Sequence, residues 1–222
     1  MIEVTNISKS YGKKQILKDI SFKADAGERV VIVGRNGCGK TTLLKILAGA
    51  LEPDGGKLNY FGENPLKNSA VFRKNCGYVP QENPLMEELS VLDNLRLWGF
   101  NKNKPDEVIL EQFELGELLK TKVSKLSGGM KRRVSLACGV IEHPGFLIMD
   151  EPTAALDIYY RDELLQWLKK YQNNSGIVLM TTHEESEIIG ADHCYVMRGG
   201  TLFKIDDSER NIKTILDYTK EI

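Results

Sequence analysis

The spacing of apolar residues changes several times along the chain, and each change marks a change of element. Residues 1 to 33 alternate short apolar stretches with turn signals: "IEVTNI", the polar "YGKKQ", "ILKDISF", then "ADAGE" leading into "RVVIV". This pattern predicts small antiparallel strands feeding one buried strand. From Thr42, Leu43, Leu44, Leu47 and Leu51 recur at helical spacing until "EPDGG" ends the run. Residues 84 to 140 read mostly as helix, with Leu89, Leu92 and Leu95 at three-residue spacing and "EVILEQFELGELL" carrying its own apolar face. Two later runs, "GFLIMD" and "GIVLMTTH", are continuously apolar and bounded by glycine, as expected of strands covered on both faces in a parallel sheet. The helical "YRDELLQWLKKY" between them completes a strand-helix-strand unit. "HCYVMRGGTLFKI" predicts a hairpin turning at Gly199 and Gly200.

With 222 residues the chain can bury a full core and is expected to form one compact domain carrying a helical subdomain. Its balance is ordinary for a globular protein, 41% hydrophobic and 27% charged with a net charge of -1, so nothing overall draws it to nucleic acid. The basic run Lys131 to Arg133 is accordingly expected on a solvated helix face rather than against a phosphate backbone. The apolar runs fall far short of the roughly 18 residues a spanning helix needs. "MIEVTNISKSYG" lacks the charged-then-apolar pattern of a signal peptide, which leads to the expectation of a cytoplasmic chain. Cys38, Cys76, Cys138 and Cys194 form no C-x-x-C pair and are expected as reduced thiols.

The chemistry concentrates in three places. Gly34, Arg35, Asn36, Gly37, Cys38, Gly39, Lys40 and Thr41 spell "GRNGCGKT", a G-x-x-x-x-G-K-[ST] phosphate loop with a strand before it and a helix, opening with Thr42, after it. Glycines let such a loop wrap with its amides inward, and the helix adds its positive end. Lys40 would reach the β- and γ-phosphates, and Thr41 would ligate Mg²⁺ through its hydroxyl. Cys38 is read as a small loop residue supplying a backbone amide. Second, "FLIMDEP" ends a buried strand with Asp150 and Glu151 on the sheet edge where ligands of open α/β sheets sit. Asp150 is placed to hold Mg²⁺ and Glu151 to polarise an attacking water. Third, Ser127, Gly128 and Gly129 in "LSGGMKRRVSLACGV" stand directly ahead of a helix, a second layout suited to an anion.

Together these residues resemble the ATP-binding cassette (ABC) ATPases, in order along nearly the whole chain. Tyr11 resembles the aromatic that stacks on adenine, "GRNGCGKTT" the phosphate loop, and "LSGGM" the family signature. Gln81 in "YVPQE" resembles the glutamine that links the nucleotide site to the helical subdomain, and it is expected with Thr41 and Asp150 at the Mg²⁺ site. "FLIMDEP" resembles the Mg²⁺ and catalytic strand, "AALD" (Ala154 to Asp157) the loop crossing the dimer interface, and His183 the histidine that contacts the γ-phosphate. Met130 departs from the pattern, since the family commonly has Gln there and a thioether cannot match its hydrogen bonding.

The resemblance implies an α/β P-loop NTPase core with a mostly parallel sheet, an N-terminal antiparallel β subdomain, and a helical signature subdomain inserted at about residues 84–140. The core would hold residues 1–83 and 141–222. It also implies ATP and Mg²⁺ as ligands, with Glu151, His183 and Lys40 as catalytic residues. Two copies, or this chain with a similar subunit, would sandwich two ATP, with Ser127, Gly128 and Gly129 of one closing over the γ-phosphate held by the other. The expected work is transport through a separate transmembrane subunit at the cytoplasmic face of the membrane. "LSGGMKRRVSLA" and the short C-terminal tail resemble ABC-2-type bacterial exporters. The alternative is a soluble cassette in an assembly process such as iron-sulfur cluster assembly. A non-catalytic regulator would be expected to have lost Glu151 or His183, and both are present.

Overall fold

A computed structural model describes residues 1–101 and 106–219. The chain runs β1 (Ile2–Tyr11), β2 (Lys14–Ala24), β3 (Arg29–Val33), α1 (Lys40–Leu47), β4 (Gly55–Tyr60), α2 (Ala70–Asn75), β5 (Cys76–Val79), α3 (Val91–Leu97), α4 (Glu107–Gln112) and α5 (Gly128–Val140). It continues through β6 (Phe146–Asp150), α6 (Ile158–Asn173), β7 (Ile177–Thr181), α7 (Glu185–Ile189), β8 (His193–Arg198), β9 (Thr201–Ile205) and α8 (Ile212–Thr219). Two sheets form. One is antiparallel in the order β2-β1-β4; the other has the order β5-β6-β7-β3-β8-β9 and is parallel except for the β8-β9 hairpin. That hairpin turns at Gly199 and Gly200, both left-handed, as the sequence pattern predicts.

β3, β6 and β7 are buried at every position, which is why their sequences are apolar apart from Arg29, Asp150 and Thr181 at their ends. Their side chains still alternate. Val30, Ile32, Phe146, Ile148, Ile177 and Leu179 join a core with the antiparallel sheet and α1, whereas Val31, Leu147, Met149, Val178 and Met180 face a second core with α5, α6 and α7. The larger sheet is therefore a central layer between the two cores.

Three elements differ from the apolar spacing. The helix after the phosphate loop starts at Lys40 rather than Thr42 and has ended before Leu51, because Gly49 takes a left-handed turn. Leu89 precedes α3, which starts at Val91 after Ser90, a cap accepting from the Asp93 amide. "EVILEQFELGELL" is broken after Gln112: Glu114 turns left-handed and a short 3-10 turn follows at Gly116–Leu118. No described helix is long and apolar enough to cross a membrane.

Candidate nucleotide site

Four strand ends build the site. At the end of β3 the chain must turn sharply beneath β8, and a Cβ on Gly34 would stand 2.6 Å from the Met197 carbonyl oxygen, so only glycine fits. The loop closes onto α1 with Gly39 as the cap residue and no side chain bonded to the first amides, which leaves those N–H groups facing the cavity. Lys40 is buried, and its ammonium donates to the carbonyl oxygens of Gly34 at 2.7 Å and Arg35 at 3.5 Å. It spans the loop it belongs to and holds its charge at the centre of the turn. The Cys38 side chain is partly buried and packs against the core of the antiparallel sheet and α1, in keeping with a small filler.

Asp150 closes β6 and is 1% exposed. Its two oxygens are shared out: one accepts from the Thr41 hydroxyl at 2.7 Å, the other from the Thr181 hydroxyl at 2.5 Å. Thr181 in turn accepts from the Glu151 amide at 3.0 Å. A carboxylate and a hydroxyl at this spacing form a hard-oxygen donor set suited to Mg²⁺, which takes one or two protein oxygens and fills the rest of its shell with phosphate and water.

Glu151 is left-handed, with φ of 47°. A non-glycine residue held there is strained, and strain of this kind is a device for aiming a side chain. Its carboxylate accepts from the Gln81 amide at 3.0 Å, and its other oxygen lies 3.2 Å from Nε2 of His183. Gln81, Glu151 and His183 thus meet from the loops after β5, β6 and β7. A cavity of about 410 Å³ opens over Gln81 and Glu151, lined also by Tyr11, Ile16, Asn36, Gly37, Gly39, Lys40, Thr41 and Thr42, whereas His183 lines an adjoining cavity with Gly34, Arg35 and Thr182. Tyr11 stands 53% exposed at its rim, with the Lys9 ammonium 6.0 Å from its ring centre. Arg35 and Cys38 line a neighbouring cavity with Lys14 and Lys18.

The second anion layout is elsewhere. Ser127 caps α5, its hydroxyl accepting from the Met130 amide at 3.3 Å. Ser127, Gly128 and Gly129 do not line the phosphate-loop cavity, and a Cβ on Gly128 would meet nothing within 4 Å. The turn is open to an outside ligand.

Two residues escaped the sequence reading. Thr181 pairs in register with Asp150, so a hydroxyl ending one buried strand beside a carboxylate ending its neighbour was the available signal. The run Lys131 to Arg133 is not a solvated face. Lys131 pairs with Glu87 at the surface, but Arg132 is 2% exposed and Arg133 is 7% exposed. Arg133 stacks over Tyr160 and bonds Glu114 at 2.7 Å. Arg132 shares the i, i+4, i+8 row of α5 with buried Leu136 and Val140, which carries it inward. Burial pulls Arg132 down to about 10, while Asp150 and Glu151 act to hold its charge.

Beside the site, Glu187 on α7 is fully buried, and desolvation pushes its carboxyl above the ordinary range against the pull of the Thr182 and Thr153 hydroxyls. In the unfolded chain this carboxyl loses its proton first. Native stability is therefore full below the ordinary glutamate value and falls as pH rises toward the raised native value. Thermal midpoints measured across that window are expected to fall for the native chain and to flatten for Glu187→Gln, which should be the more stable of the two at neutral pH.

Comparisons with known proteins agree with this geometry. Residues 17–154 match the family model described as ABC transporter. The Nod factor export ATP-binding protein I of Rhizobium etli is 36% identical over 208 residues, covering 90% of this chain and 66% of its own length. The spermidine/putrescine import ATP-binding protein PotA of Fusobacterium nucleatum is 36% identical over 213 residues, covering 92% of this chain and 56% of its own. The chain thus spans about two thirds or less of the length of these relatives. A dimeric ATP-binding cassette solved in a post-hydrolysis state with ADP and Pi is 24% identical and superposes with a TM-score of 0.84 over 93% of this chain and 99% of its own, a likeness of fold. The family model covers more than half of the chain, which therefore belongs to the ABC transporter family.

Proposed function

We propose that this chain is the ATP-hydrolysing subunit of a transporter, pairing around two ATP molecules to drive export through a separate transmembrane subunit. The observation that carries the reading is the Glu151 carboxylate, strained into the left-handed region and positioned by Gln81 and His183 at the floor of the phosphate-loop cavity. In this reading Tyr11 stacks on the base, the loop amides of residues 34–42 and Lys40 hold the phosphates, and Glu151 takes the proton of the attacking water. His183 holds the γ-phosphate side. Thr41, Asp150 and Gln81 would hold Mg²⁺, which when bound neutralises charge on the β- and γ-phosphates.

Residues 84–140 act as the helical subdomain that carries the signature. Ser127, Gly128 and Gly129 lie away from the chain's own cavity and open outward, which supports a role over a nucleotide held by a second copy. The solved cassette with ADP and Pi is itself dimeric. The γ-phosphate then has different affinity for the closed and open pair, as a ligand-driven two-state motor requires. The relatives named above serve export in one case and import in the other. Export is favoured by the "LSGGMKRRVSLA" signature. Work at the membrane face is then through a permease, whose lumen and not this chain reads the cargo.

The test is to tag the chain in its host, solubilise membranes gently and identify what co-purifies. A polytopic membrane protein at near-equal stoichiometry is expected. Recovery from the soluble fraction alone, with a soluble assembly partner, would overturn the transporter reading.

A further inference from the structure

The β5-β6 ladder ends at the pair Val79↔Met149, just before the residues that do the chemistry. Beyond that pair no strand hydrogen bond sets Gln81 relative to Glu151. One buried side chain hydrogen-bonds the backbone of both loops. The Arg132 guanidinium donates through Nε to the Pro152 carbonyl at 3.0 Å. One terminal nitrogen donates to Pro80 at 2.6 Å and Gln81 at 3.4 Å, and the other to Asp150 at 2.9 Å and Glu151 at 2.8 Å. A guanidinium has five N–H donors, and here all five bonds go to backbone carbonyls of the two loops. Arg132 itself is buried, so water does not compete for those carbonyls.

We propose that Arg132 is a positioning residue for hydrolysis, fixing the loop that presents Gln81 against the loop that presents Glu151. The assignment rests on the hydrolase reading given above. Its physical basis is that Glu151 is tied to the β7 side through Thr181 and to its own loop through Ala154, whereas its ladder to the Gln81 loop ends upstream at Val79↔Met149. The fork of Arg132 ties the two loops together. It also holds the carbonyl of Glu151 itself, the residue whose φ of 47° must be maintained for the carboxylate to face the cavity. Lysine supplies the charge but one donor centre in place of a planar fork, and glutamine supplies two donors without charge, so neither can span both loops.

The test uses the full chain with ATP and Mg²⁺, comparing Arg132→Lys and Arg132→Gln with the unaltered chain, each alone and combined with Gln81→Ala. ATP-binding stoichiometry counts competent molecules, so that kcat is expressed per occupied site. The expected result is ATP affinity within about threefold, since the phosphate loop is untouched, and a kcat lower by about 10- to 100-fold from misplacement of the reacting groups. In the Gln81→Ala background the same Arg132 changes should cost much less, because the contact they position is already gone. A kcat per occupied site within twofold of the unaltered chain would overturn the assignment. So would an equal loss in both backgrounds, or failure of both variants to fold, either of which makes Arg132 a purely structural residue. Absence of turnover in the unaltered chain, with ATP bound, would instead bring down the hydrolase reading on which it rests.

Discussion

Glu151→Gln is expected to bind ATP with Mg²⁺ and to hydrolyse it about 10²- to 10⁴-fold more slowly than the unaltered chain, the range general-base catalysis contributes. The substitution is close to isosteric. The amide that replaces the carboxylate would keep one oxygen to accept from Gln81, which donates to Glu151 at 3.0 Å, and the phosphate loop and Asp150 are untouched. What is lost is the ability to take a proton from water. Because the nucleotide is then held without being consumed, the paired state should accumulate: size-exclusion chromatography with ATP and Mg²⁺ should show the variant as a dimer and the unaltered chain mostly as a monomer. Unchanged turnover would remove Glu151 as the base. A variant that remained monomeric at saturating ATP would count against a site shared between copies, leaving the outward-facing Ser127 turn without its ligand.

How much of this was legible in the sequence follows from what kind of interaction carries each feature. Elements fixed by burial on a regular period were readable: the continuous apolar runs of β6 and β7 and the Gly199–Gly200 hairpin stand where the pattern puts them. Site residues borne by motifs were nameable, because a phosphate loop needs its glycines and lysine at one spacing. The break after Gln112 was not readable, since the left-handed turn at Glu114 follows from Arg133 and Tyr160 gripping its carboxylate from two other helices. The Arg132 contacts were hidden for a related reason. Their acceptors are backbone carbonyls about 20 and about 50 positions away, which any residue type supplies, so no pattern of side chains announces them. The row shared with Leu136 and Val140 points inward, a signal that the expectation of a solvated basic run leaves out.

Gly139→Val should be among the most damaging single changes outside the nucleotide cavity, because it attacks the contact on which α5 rests. Helix and strand meet there backbone to backbone. A Cβ on Gly139 would lie 2.4 Å from the Val79 side chain, and a Cβ on Gly77 would lie 2.1 Å from the Gly139 carbonyl oxygen. Val adds two methyl groups beyond that Cβ, facing a β5 that is itself locked into the sheet by β6. Overpacking of this kind costs about 1–3 kcal/mol, more than the few tenths gained in helix propensity over glycine. For a domain of this size the melting midpoint should fall by about 2–12 °C. Gly116→Val, where an added Cβ meets nothing within 4 Å, should leave the midpoint nearly unchanged. The loss should not stop at stability. α5 carries Ser127 at its start and Arg132 in its second turn, so lifting the helix from β5 pulls the guanidinium from the carbonyls of Pro80 and Asp150. ATP turnover per folded molecule should therefore drop in Gly139→Val well below the folded fraction, while ATP binding, which depends on β3 and α1, persists. Equal losses of turnover and of folded protein would show that the packing of α5 on β5 supports the fold alone.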